Sequence, residues 1–130
     1  MLPQKIPQNK DRTNKEKGDA LESYIARALD MEPTAGSGNQ KDDADLKDEH
    51  MIVECKVKNN NAGVNVPEKQ LSKLIKQAGK WHKDCAFVTM NSNGNIYVTT
   101  DIQWFREIYE AAKLHWKQKH EEERNKPRND

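Results

Sequence analysis

At 130 residues the chain has room for one domain, residues 1–130, burying roughly two thirds of its unfolded surface around a single core, and little room for two. Its 22 Lys and Arg nearly cancel its 21 Asp and Glu, so net charge gives no argument for a nucleic-acid partner and the distribution of charge has to carry one. No run of about eighteen apolar residues exists and the amino terminus lacks a signal-peptide core, so the expected protein neither spans a membrane nor is secreted, and its expected compartment is cytoplasmic. The two cysteines, Cys55 and Cys85, read as small apolar residues of a reduced compartment. His82 and Cys85 have no companions at zinc-ligand spacing.

Residues 1–14 carry Pro3, Pro7, Lys5, Lys10 and Arg12 and little that could be buried, which predicts a flexible arm. From 15 to 31 the apolar residues Leu21, Tyr24, Ile25, Ala28 and Leu29 recur at helical spacing, with Glu22 lying beside the stripe. Pro33 and Gly36-Ser37-Gly38 predict a short irregular strand or loop where glycines admit a ligand close to the backbone. It is not a P-loop, since no Gly-Lys-Ser/Thr follows. Asp42-Asp43-Ala44-Asp45-Leu46-Lys47 and the turn-prone Lys47-Asp48-Glu49 then predict an antiparallel hairpin with the next strand, which would bring Asp45 close to Glu54.

That next strand, 50–58, organises the chain. Met51, Ile52 and Val53 are consecutive apolar residues, as in a strand covered on both faces. Alternation follows, placing Glu54 and Lys56 on one face and Val53, Cys55 and Val57 on the other. Two charges at the end of a buried strand are costly unless they pair, bind a metal or meet a charged ligand. Taken alone, the triplet reads as an ion pair, because Asp45-Leu46-Lys47 has the same spacing. Asp43 and Asp45 share a face, however. Two carboxylates from adjacent strands with a backbone carbonyl are the hard oxygen ligands that Mg²⁺ or Mn²⁺ accepts.

Residues 59–65 are polar and predict a loop, and Pro67 fits a first helical position. Over 67–83 the pattern predicts a helix whose buried stripe is Leu71, Leu74, Ile75, Ala78 and Trp81 or His82. Lys69, Lys73, Lys76, Lys80 and Lys83 make a second stripe without interleaved acids, readable as a phosphate-facing surface or as a solvated face. Two β-branched runs, 86–90 and 96–100, flank Asn91-Ser92-Asn93-Gly94-Asn95, and the Asn-Gly step predicts a hairpin with positive backbone dihedrals at both residues. Thr100 or Asp101 caps a last helix with Ile102, Phe105, Ile108, Tyr109, Ala112 and Trp116 as its expected inner face and Trp104 at its edge. Residues 117–130 form a polar tail expected to fray.

Lys17-Gly18 with Glu22, Gly36-Ser37-Gly38, Asp45-Leu46, Glu54-Cys55-Lys56 and Glu68-Lys69-Gln70-Leu71 stand in an order that resembles the PD-(D/E)XK nucleases. Within them the chain resembles the small Holliday-junction resolvases of the archaeal Hjc type and their phage-encoded relatives, over about residues 15–110. The resemblance implies a single-domain α/β restriction-endonuclease-like fold, a central mixed β-sheet flanked by helices. It implies that Asp45, Glu54 and the Cys55 carbonyl hold Mg²⁺, with Mn²⁺ able to substitute, and that Glu22 closes the site directly or through water. Ala44 stands where the family's naming proline precedes its aspartate, so Asp43 is a second candidate for the aspartate ligand. Lys56 would be the chemical partner, and Gln70 and Ser37 are candidates to position the attacking water or a phosphate. Lys17, Ser37, Lys58, Lys69, Lys73, Lys76 and Lys80 are the candidate DNA contacts. The implied activity is that of a homodimeric, structure-selective endonuclease nicking four-way junctions. Two other readings stand beside it, a nicking or restriction-like nuclease of the same type acting on duplex, and a non-catalytic DNA-binding module.

Overall fold

A computed structural model describes residues 13–34, 44–59 and 65–127. The expected arm over 1–12, the glycine loop with Ser37, Asp42 and Asp43, the loop residues 60–64 and the last three residues of the tail lie outside them. The elements are α1 (Asn14–Leu29), β1 (Glu32–Pro33), β2 (Leu46–Lys47), β3 (Met51–Val57), α2 (Glu68–Lys80), β4 (Asp84–Met90), β5 (Ile96–Thr99) and α3 (Ile102–Asn125). They fall into two compact units, Met1–Thr99 and Thr100–Asp130. Among the described residues no helix is long and apolar enough to cross a membrane.

The first unit is α/β. Its five strands form one mixed sheet in the order β1-β2-β3-β4-β5, with β3 and β4 parallel and every other pair antiparallel. A parallel pair needs a crossover, and α2 supplies it between β3 and β4. Leu74 and Ala78 of α2 close over Ile52, Cys85, Phe87 and Ala44, with Val66 and Leu71 packed at the margin. Val53, Ala86, Val88 and Met90, of opposite parity, are also buried, so β3 and β4 are covered on both faces as the apolar run Met51-Ile52-Val53 predicts. On α1, which packs against β3, the buried residues are Leu21 and Ile25.

Local chemistry sets the ends. Thr13 and Glu16 form a capping box, the Thr13 hydroxyl accepting from the Glu16 N–H at 3.2 Å, and this starts α1 one residue before the expected position. Pro67 precedes α2 instead of opening it, because its ψ of 135° is extended while its carbonyl accepts from the N–H groups of Gln70 and Leu71. The helix stops at Lys80, and His82 takes a left-handed φ of 53°. Trp81 and His82 are therefore exposed, as is Ile75, and none of the three belongs to the buried stripe. The β4–β5 connection, residues 91–95, closes through the Asn91 N–H donating to the Asn95 carbonyl, and in the three residues between them the Gly94 N–H donates to the Asn91 carbonyl and Gly94 alone takes a positive φ, 81°. This is a turn followed by a left-handed residue, rather than the doubly positive Asn-Gly turn expected. Asn91 Oδ1 accepts from the N–H groups of both Asn93 and Asn95 and holds the loop shut.

The second unit is α3, capped by the Asp101 carboxylate accepting from the Trp104 N–H at 2.9 Å. None of its residues is buried, and the stripe expected to face inward is exposed, Ile102 at 77% and Trp116 at 50%. Hydrophobic periodicity shows that a helix has an apolar face without showing what covers it. The helix also continues through 117–125 instead of fraying, because Lys, Gln, Glu and Arg are good helix formers there. Phe105 stacks on Tyr109 with centroids 6.2 Å apart, and Tyr109 meets Trp116 edge-on at 6.3 Å.

Candidate active site

The β2–β3 ladder pairs Leu46 with Val53 and Lys47 with Ile52, and just beyond its last pair the Asp45 carboxyl comes within side-chain hydrogen-bonding reach of Glu54. Asp48 shapes the turn that sets this register, its Oδ1 accepting from the N–H groups of His50 and Met51, each at 2.8 Å. Asp45 is tied in by main chain on both sides. Its N–H donates to the Val53 carbonyl at 3.0 Å and its carbonyl accepts from the Thr34 N–H at 3.1 Å. The Thr34 hydroxyl, itself buried, donates to the Ala44 carbonyl. The Asp45 side chain turns along the strand, and Oδ2 accepts from the Cys55 N–H at 2.8 Å. A carboxylate thus satisfies an amide of β3 where the two-residue β2 has already ended.

Glu22 approaches from α1, next to the buried Leu21. Burial raises its pKa from 4.5 to about 7, helped by the negative charges of Asp45 and Asp19 and by a side-chain hydrogen bond with Asp45. Glu54 is also raised to about 7, by burial first and then by Asp45, while Lys56 opposes the shift and Glu22 adds to it. Three carboxyl groups from α1, β2's leading edge and β3 therefore share one small volume, in which Glu22 and Glu54 hold protons that isolated carboxylates release. The Cys55 thiol is pushed up, by burial and then by the same three carboxyls, so it is inert, and only its backbone can serve the site. Lys56 is exposed on the same strand face as Glu54.

The donor set fits a hard divalent cation, because carboxylates crowded against their mutual repulsion are relieved by positive charge. Among the described residues no three His, Cys, Asp or Glu side chains are disposed to enclose an ion between them. Mg²⁺ does not require such a cage, since it binds through one or two carboxylates and keeps several waters for exchange with phosphate oxygens. No family model matches the chain, and no curated protein or solved structure matches it.

The other expected site residues divide. Asp43 and Ser37 lie outside the described residues, and Asp45 is the aspartate of the cluster. Lys17 is half-buried on α1, and Lys58, just past β3, donates its N–H to the Met90 carbonyl at 2.7 Å. Gln70 is exposed on the first turn of α2. Lys69, Lys73, Lys76 and Lys80 are all exposed along that helix and make no ion pair among the described residues. Lys83 leaves the row, its Nζ donating to the Asp48 carbonyl at 2.6 Å and pinning the β2–β3 turn.

Nothing in the sequence singles out Thr89. It is fully buried in β4, and its Oγ1 has no hydrogen-bond partner among the described residues. Leaving a buried hydroxyl unsatisfied costs about 1–3 kcal/mol. Its β3 neighbour in the ladder is Lys56.

Proposed function

We propose that the chain is a metal-dependent DNA endonuclease of the PD-(D/E)XK type, selective for four-way junctions, which it resolves as a homodimer by paired nicks. The observation that carries this reading is the convergence of Asp45, Glu54 and Glu22 beside Lys56, at a central strand of a mixed α/β sheet. Asp45 and Glu54 would hold Mg²⁺ or Mn²⁺, with the Cys55 carbonyl and Glu22 completing its protein ligands. When bound, such an ion lowers the pKa of a water and neutralises charge building on the phosphate oxygens. Lys56, two residues from Glu54 on the same face, orients the attacking water or stabilises the charge developing on the scissile phosphate. The exposed row Lys69, Lys73, Lys76 and Lys80 offers unpaired positive charge to the phosphate backbone.

The test is incubation with an end-labelled four-way junction and a linear duplex of the same sequence, in Mg²⁺ and in EDTA. Symmetric nicks in the junction, with Mg²⁺ only, are expected. Equal cutting of the duplex would replace the junction reading with that of a general nuclease. No cutting, together with a Mn²⁺ affinity unchanged by Asp45→Asn, would leave a binding module.

A further inference from the structure

Within β4, the run Cys85-Ala86-Phe87-Val88-Thr89-Met90 is buried throughout, and Thr89 is its one polar residue. Valine has the same shape, carries no hydroxyl to desolvate and has the same preference for a strand, so packing alone favours valine at this position. The ladder shows what lies beside the hydroxyl. Thr89 pairs with Lys56 on the parallel side and with Tyr97 on the antiparallel side, and side chains of paired residues project to one face. Glu54 and its partner Phe87 lie on that face one step earlier. Tyr97 carries its phenol at the far end of a rigid ring and is half-exposed. Lys56 has a flexible four-carbon stem and is exposed, with no hydrogen bond or ion pair to fix its ammonium among the described residues.

We infer that Thr89 is a positioning residue for Lys56, its Oγ1 accepting a hydrogen bond from the Lys56 ammonium when a phosphate docks at the carboxylate cluster. An ammonium has three donors, so one bond to Thr89 leaves two for the phosphate oxygen or the attacking water and for the Glu54 side. A bond to the ammonium itself fixes the head of a side chain whose freedom otherwise costs it alignment at the moment of reaction. The inference rests on the nuclease reading given above, since it assigns Lys56 something to align for.

The test compares Thr89→Val and Thr89→Ser with the parent chain on junction DNA. Thr89→Val should keep or raise the melting temperature, bind junction DNA in Ca²⁺ within twofold of the parent, and lower kcat about tenfold without changing KM. Thr89→Ser, which restores the hydroxyl, should recover most of kcat. Combining Thr89→Val with Lys56→Ala should cost no more than Lys56→Ala alone, because the two act through one group. Side-chain NMR of labelled lysine gives a readout apart from cleavage. The Lys56 signals should become ordered on binding DNA in the parent and in Thr89→Ser, and stay mobile in Thr89→Val. Parental cleavage by Thr89→Val overturns the inference and leaves the nuclease reading standing. Loss of folding or stability in Thr89→Val also overturns it, since the hydroxyl would then be satisfied within the fold. If the parent cuts no DNA at all, the nuclease reading fails, and the lysine signals still decide whether the hydrogen bond forms.

Discussion

The Cys55 backbone N–H donates to Asp45 Oδ2 at 2.8 Å, so the carboxylate nearest both glutamates is also part of the strand pairing that builds the site. Charge and geometry at Asp45 can therefore be separated by substitution. Asp45→Asn retains a carbonyl oxygen for the Cys55 amide and removes a charge that adds to the rise burial imposes on Glu22 and Glu54. It should abolish Mg²⁺-dependent cleavage while leaving the metal-free chain at least as stable at pH 7.5, and junction binding as tight or tighter. Asp45→Ala leaves the amide without its partner and should lose about 1–3 kcal/mol relative to Asp45→Asn. Thermal melts of both variants beside cleavage assays make the comparison, and nearly full activity in Asp45→Asn would remove Asp45 from the chemistry.

The pH dependence follows from the two glutamates. Each is raised from 4.5 to about 7 in the folded chain, so between those values the fold binds more protons than the unfolded chain does. The stability they contribute is fully present below about pH 4.5 and is lost as pH rises through about 7. A divalent cation replaces those protons and favours the charged forms, so it should stabilise the fold little at pH 5 and most at pH 8. Melting temperatures in EDTA and in Mg²⁺ at the two pH values check this. A metal-induced shift of equal size at both would detach the glutamates from the metal.

How much of this was legible in the sequence depended on how local the signal was. The alternation after Val53 placed Glu54 and Lys56, and a turn at Lys47-Asp48-Glu49 was enough to bring Asp45 across to Glu54. The stretch Thr13-Asn14-Lys15-Glu16 carried the capping-box signature, and reading it would have fixed the start of α1. Other features depend on tertiary surroundings. The α3 stripe has the spacing of a core face and is exposed, while Thr89 sits in a run that reads as uniformly apolar until its missing partner is seen. Lys83 has the same spacing as the rest of its row, and only the fold turns it toward the Asp48 carbonyl.

The lysine row makes a prediction about salt. If Lys69, Lys73, Lys76 and Lys80 neutralise phosphates, replacing them in pairs by Gln should weaken DNA binding and flatten the dependence of log affinity on log salt by about one unit for each lysine that touches the backbone. Lys83→Gln should leave that slope alone and lower stability instead, because its Nζ serves the β2–β3 turn. Fluorescence anisotropy over a salt series measures the slopes. An unchanged slope in the paired variants would return the row to a solvated face.

Gly18 and Gly79 lie inside helices, and a methyl group added at either meets nothing within 4 Å. Glycine costs a helix interior roughly 0.5–1 kcal/mol relative to alanine, so Gly18→Ala should raise stability by about that amount, and Gly79→Ala by less because it sits in the last turn of α2. Urea denaturation reads the difference. A loss of stability in Gly18→Ala would mean that the backbone there is not at rest in an ordinary helix.

The last prediction concerns the paired cut. Under the nuclease reading, a unit with one carboxylate cluster would cut one phosphodiester at a time, whereas resolving a four-way junction takes two opposed cuts, which a two-fold dimer would supply by symmetry. Trp104 is half-buried, and Gly94 is buried in a loop that satisfies its own hydrogen bonds, so neither is a good contact surface. For the homodimer proposed above, the apolar stripe of α3 is the surface to test. Ile102, Phe105, Tyr109, Ala112 and Trp116 fall alternately three and four residues apart, the 3.5-residue period of a seam that faces another helix, over a length of about 20 Å. If the parent is a dimer through this stripe, Phe105→Glu with Tyr109→Glu should sediment as a monomer at micromolar concentration, leave the sheet unit folded, and yield only nicked circles from a supercoiled cruciform plasmid that the parent is expected to linearise in one binding event. A parent that sediments as a monomer and only nicks the cruciform would refute the paired cut and favour a nicking nuclease.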